Sequence, residues 1–110
     1  MMIDKETILM RLGGDAELFA EIAAMYVEDA GGYAQALEEA LAAGDWARVQ
    51  REAHTIKGLL ATFTDDVGTA MALAVEQQAG QEDAAALGDA VAQLLARVRL
   101  LAEVLKQDAG

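Results

Sequence analysis

A single histidine stands in this 110-residue chain, at position 54, and a lysine and a glycine follow it at 57 and 58. Residues three and four apart share one face of a helix. Imidazole, ammonium and a position without a side chain would therefore lie together on one ridge. A ring nitrogen is a nucleophile near neutral pH, and a nearby cation stabilises negative charge carried onto it. The missing bulk at Gly58 lets another molecule approach closely. This combination points to capture of a phosphoryl group.

The charge pattern agrees. The chain carries a formal net charge of −11, yet residues 44–63 set Arg48, Arg51 and Lys57 against Asp45 and Glu52. The histidine thus sits in the one segment that is not acidic, a local positive island suited to a phosphoryl group. Other chemistries are excluded by composition. With no Cys and no Ser, the chain has no disulfide, no Cys-ligated zinc and no serine nucleophile. The acidity argues against nucleic acid and anionic membrane surfaces as partners. No window of about 20 residues is free of charge, and the N-terminus carries Asp4, Lys5 and Glu6 where a secretory signal needs an apolar run. A cytoplasmic location is expected.

The elements that must position these residues are helical. Alanine supplies 25 of the residues and aromatics only five, there is no proline, and the length suits one domain over residues 1–110. Punctuation marks five helices. A short one runs from Asp4 to Leu12, stopped by Gly13-Gly14, and a long one from Asp15 to about Ala43. The third runs from Asp45 to Phe63, the fourth from Val67 to about Ala79, and the last begins at Glu82 or Asp83. Residues 108–110 are expected to fray, and Gly31-Gly32 to bend the second helix or break it for one turn. The expected core stripe of that helix is Leu18, Ile22, Met25/Tyr26, Tyr33, Leu37 and Leu41. Trp46, Val49, Ala53, Ile56, Leu60 and Phe63 form the stripe of the third. In the last, Leu87, Val91, Leu94, Val98, Leu101 and Leu105 recur at alternating steps of four and three. Short turns between amphipathic helices predict an all-α, antiparallel up-down-up-down four-helix bundle with a short additional N-terminal helix. Arg97 and Arg99 are expected to pair with the acidic surface.

At about 100° per residue, His54 lies about 130° from the centre of its helix's apolar stripe. It is expected at the surface, with Ala47, Gly58 and Ala61 on its face. The turn between the third and fourth helices is centred near Asp65, eleven residues after His54 and eleven before Glu76. In a helical hairpin those two positions come out level. A carboxylate at 76 would accept the imidazole Nδ1–H and leave Nε2 as the free nucleophile. Gln77 and Gln78 lie within the same turn and are alternatives.

The string Ala53-His54-Thr55-Ile56-Lys57-Gly58 resembles the His-x-(Leu/Ile)-Lys-Gly signature of histidine-containing phosphotransfer (HPt) domains. Ala43-Gly44-Asp45-Trp46 before the histidine helix, and Glu76 after it, look like the same family, so the resemblance spans nearly the whole chain. It implies that His54 is phosphorylated, accepting a phosphoryl group from a receiver-domain aspartyl phosphate and passing it to another receiver. It further implies that Lys57 stabilises the phosphoryl charge, that Gly58 leaves room for it, and that Glu76 bonds the ring. Gln50, Arg51 and Ala61 are expected to touch the docked partner. The expected partners are receiver domains and a hybrid histidine kinase. The chain would be a phosphocarrier, not an enzyme, with no cofactor or metal of its own and Mg²⁺ held by the receiver.

Three positions depart from the family pattern. Leu59-Leu60 replaces two small residues, and Thr64 stands where glycine is common. The start at Met1 without a trailing linker predicts a stand-alone protein, and the absence of a second apolar seam predicts a monomer. The rival readings are a non-phosphorylated docking module for a kinase or receiver, and the phosphohistidine domain of a chemotaxis-type kinase. A hydrolase using His54 as general base lacks any Ser or Cys nucleophile.

Overall fold

Aspartates open the helices. In the computed structural model, which describes residues 2–81 and 83–109, the five helices are α1 (Lys5–Arg11), α2 (Ala16–Ala42), α3 (Trp46–Thr62), α4 (Asp66–Ala79) and α5 (Ala84–Ala109). The carboxylates of Asp4, Asp15, Asp45, Asp65 and Asp83 each accept the amide three residues on, at 3.0–3.1 Å. Each satisfies an amide that has no partner inside the helix. The stops are equally local. Gly13 and Gly14 turn the chain out of α1 at φ +69° and +82°, and Gly44 ends the α2 turn at φ +67°. Such angles suit glycine.

The helices α2, α3, α4 and α5 pack in chain order, with α5 returning against α2 and α1 lying on α2. The body measures 44 × 20 × 20 Å, the long axis matching the roughly 40 Å length of a 27-residue helix. The α3 seam from Val49 to Phe63 and the whole α5 seam from Leu87 to Leu105 are buried as the spacing requires. Among the described residues there is no strand, and no helix is long and apolar enough to cross a membrane.

The α2 stripe keeps the expected Tyr26 and Leu37 but differs elsewhere from expectation. Phe19, Ala23, Tyr26, Ala30, Ala34, Leu37 and Ala40 are buried, whereas Leu18 and Met25 are 37% and 62% exposed. Ile22, Tyr33 and Leu41 are half-buried. The helix turns its alanines inward, and the bulk that fills the gap comes from the neighbours' leucines and from Phe63, whose ring meets Phe19 and Tyr26 edge-on. Tyr26 spans to α5, its hydroxyl donating to the Val98 carbonyl at 2.9 Å. Burial pushes that phenol far above its ordinary pKa.

Two further expectations, on Trp46 and on the C-terminal residues, are corrected. Trp46 is 39% exposed. As the first residue of α3 it lies at the rim, one turn above the uppermost buried residue, Val49. Helix α2 runs through Gly31-Gly32 without a break, and α5 continues to Ala109. Lys5 ties its end down through an ion pair to Asp108 at 3.0 Å. Glu82 and Gly110 lie outside the described residues. A Cβ at Gly31 or Gly32 would meet nothing within 4 Å. Gly31→Ala and Gly32→Ala are therefore each expected to stabilise the protein by about 0.5–1 kcal/mol, read as a higher urea midpoint.

The α3–α4 turn is fixed on both sides. Thr64 adopts φ +59°, a conformation unusual for a branched residue, where the family resemblance expects glycine. Its Oγ accepts the Asp4 amide at 2.6 Å and so holds the N-terminal segment in place. Asp65 is fully buried and takes Arg97 of α5 in a two-pronged pair, Nε to Oδ2 at 2.9 Å and a terminal nitrogen to Oδ1 at 2.6 Å. This corrects the surface partner expected for Arg97. The Asp65 bonds hold the guanidinium above its ordinary pKa. Arg99 does meet a surface acid, Glu38, at 2.8 Å.

Candidate functional site

Helix α3 presents Gln50, His54 and Lys57 on one ridge, at i, i+4 and i+7, while Ala53 and Ile56 beside them point into the core. The His54 side chain is 71% exposed. Its place at the surface follows from its offset from the buried stripe.

Glu76 of α4 stands opposite, and of the three residues in that turn it is the one that meets the ring. Its Oε1 lies 3.4 Å from His54 Nδ1 and 2.7 Å from Lys57 Nζ, with the carboxylate side chain only 16% exposed. The lysine contact is an ion pair by distance, but its angle is not that of a hydrogen bond, so the buried Oε1 has no aligned donor. A carboxylate in this place favours the imidazole tautomer carrying hydrogen on Nδ1, because a lone pair there would face the oxygen's negative charge. The lone pair then resides on Nε2. Lys57 is held close to the ring by the same oxygen.

Gln50 approaches from the turn above. Its side-chain amide donates to the backbone carbonyl of Glu76 at 3.3 Å. Three side chains of one α3 ridge thus converge on one residue of α4, two at its carboxylate and one at its backbone. The sequence places Glu76 level with His54 but carries no sign of the carbonyl contact, which involves no side chain of α4.

Below the histidine the ridge opens. Gly58 and Ala61 line a groove of about 330 Å³, bounded across the gap by Ile8, Leu12 and Ile22 of α1, its C-cap and α2. A Cβ at Gly58 would meet nothing within 4 Å. Several other glycines share that property, and Gly58 differs from them in lying one turn from the imidazole. Arg51 is exposed on the same helix. Leu60 is core, and half-buried Leu59 packs sideways into a crevice with Ile22, Met25 and Tyr33, so neither leucine closes the space beside His54. Among the described residues no group of three His, Asp or Glu side chains is placed to hold a metal ion.

A search of curated proteins returns no match. Among solved structures, the chain is similar to the HPT domain from the Hpt sensor hybrid histidine kinase from Shewanella. The TM-score is 0.80 at 15% identity, over 96% of this chain and 92% of that one. At that identity the likeness shows the fold. The sequence itself matches the family model described as Hpt domain over residues 21–106. That span holds the whole ridge of α3 and the carboxylate opposite it, and on this match the chain belongs to the Hpt domain family, whose members are phosphocarrier modules of phosphorelay signalling.

Proposed function

We propose that His54 is the phosphoryl acceptor of a phosphorelay, taking the group from the aspartyl phosphate of one receiver domain and giving it to another. The observation that carries this reading is the exposed imidazole with Nδ1 turned to the half-buried Glu76 carboxylate, 3.4 Å away. The reading assigns the ring's outer nitrogen, Nε2, to attack.

In the forward step Nε2 attacks phosphorus in line, a P–N bond forms, and the P–O bond to the receiver's aspartate breaks. The aspartate leaves as carboxylate with the bonding electrons. The ring keeps its Nδ1 proton and becomes cationic, and Glu76 faces that charge. Lys57 Nζ, close to the same ring, offsets the negative charge of the incoming phosphoryl oxygens. The reverse step returns the group to an aspartate. Neither direction consumes ATP, and positioning with charge neutralisation accounts for the catalysis. The chain thus acts as a carrier, with Mg²⁺ supplied by the receiver and no resident cofactor.

Docking is assigned to the face around the ridge, comprising Arg51, Ala61 and the groove beside Gly58. Gly58 leaves room for the phosphoryl group, and the partner is a receiver domain or the hybrid kinase that carries one. A monomer in the cytoplasm, built as an antiparallel four-helix bundle with α1 as an added helix, completes the reading. The up-and-down course follows from turns too short to reverse the packing order.

The test is transfer from a receiver carrying labelled aspartyl phosphate. Label moves to this chain and then to a second, unlabelled receiver. Lys57→Ala keeps the helical spectrum and slows the first transfer about tenfold or more, the loss expected of one charge-assisted contact. A wild-type rate in that variant contradicts the role of Lys57.

A further inference from the structure

We propose that Gln50 is a positioning residue for His54, acting through the backbone of Glu76 rather than by touching a partner. The proposal rests on the reading of His54 as phosphoryl acceptor and adds a residue to it. Glu76 lies in the last turn of α4, where backbone carbonyls lose their helical donors. The amide that would serve its carbonyl in a continued α-helix is that of Gly80. That amide bonds instead to the Gln77 carbonyl at 3.3 Å, tightening the end of the helix. The Gln50 side chain fills the gap, donating to Glu76 O at 3.3 Å.

The position of the donor gives the contact its consequence. Gln50 is one turn before His54 on the same ridge, so residue 76 is gripped from one helix at two points. Lys57 and His54 face the carboxylate at 2.7 and 3.4 Å, and Gln50 holds the main chain that carries it. A helix terminus is the part of α4 most free to unwind. Without the Gln50 bond, rotation or fraying of this turn moves the carboxylate away from Nδ1. The ring then loses its preference for the tautomer that exposes Nε2. Gln50 therefore belongs with the machinery of the histidine, although its side chain reaches neither the ring nor the phosphoryl group.

The experiment reads the ring itself, by nitrogen NMR of His54 in the full chain at a pH that leaves the imidazole neutral. Gln50→Ala shifts the tautomer ratio toward Nε2–H by roughly threefold or more, the lower range for one exposed hydrogen bond. Gln50→Arg, another long donor, keeps the wild-type ratio. Glu76→Ala shifts the ratio at least as far, and adding Gln50→Ala to it produces no further change. Labelling with phosphoramidate, a small phosphodonor that needs no docking surface, slows in Gln50→Ala by the same factor. An unchanged ratio in Gln50→Ala, a failure of Gln50→Arg to hold it, or full additivity with Glu76→Ala overturns the proposal. If wild type takes no label from phosphoramidate or a receiver, the phosphoryl reading of His54 fails. The tautomer ratios then still decide the Gln50 contact on its own.

Discussion

Arg97→Ala lowers the unfolding free energy by about 3–5 kcal/mol, the penalty for leaving one member of a buried ion pair without its partner. Asp65 is fully enclosed and still caps α4 through the Gly68 amide, so it cannot turn to water when the guanidinium is removed. The pair also joins the α3–α4 turn to α5, making the loss one of architecture as well as charge. Guanidinium chloride titration followed by circular dichroism measures the change. Removing both Asp65 and Arg97 is expected to be less damaging than the sum of the single changes, because no unpaired charge remains. A loss below about 1 kcal/mol for Arg97→Ala would mean that the carboxylate finds water, contrary to the packing described here.

The second large effect is chemical. His54→Gln abolishes labelling by a phosphorylated receiver and leaves the helical spectrum and unfolding midpoint close to wild type. The separation follows from the exposure of the side chain, 71% open to solvent and outside the buried α3 seam. A surface substitution of this kind normally changes stability by no more than about 0.5 kcal/mol. Because the chain has only one histidine, no second imidazole can substitute. Label transferred at the wild-type rate to the variant would refute the assignment.

How much of this was legible beforehand depended on the kind of signal. The aspartate caps and glycine stops are local chemistry, and they mark the helix limits to within a residue or two. The α3 and α5 seams are built of large aliphatic residues whose spacing admits one face. In α2 the alanines make two faces look alike, and counting bulky side chains selects Leu18 and leaves Met25 undecided against Tyr26, whereas the packed helix buries Tyr26 and exposes the other two. What decides there is how closely neighbouring helices approach, a property of the assembled bundle. Glu76 could be placed against His54 because both lie eleven residues from the same turn. Asp65 and Arg97 are 32 residues apart with no such symmetry, and their meeting depends on how α5 crosses the turn. The spacing puts the Lys57 ammonium near the ring but gives no sign of its ion pair with Glu76 at 2.7 Å. The contact of Gln50 with the Glu76 carbonyl leaves no mark in residue types.

The most direct measurement is the chemical nature of the bond formed on this chain after incubation with a receiver bearing radiolabelled aspartyl phosphate. Phosphorus bound to imidazole nitrogen is released by acid and retained in base. Label that behaves so, and that tandem mass spectrometry locates on the peptide carrying His54, is the predicted result. Label stable to acid, label on another residue, or a chain that stays unlabelled while the receiver loses its phosphate only to water would contradict the account.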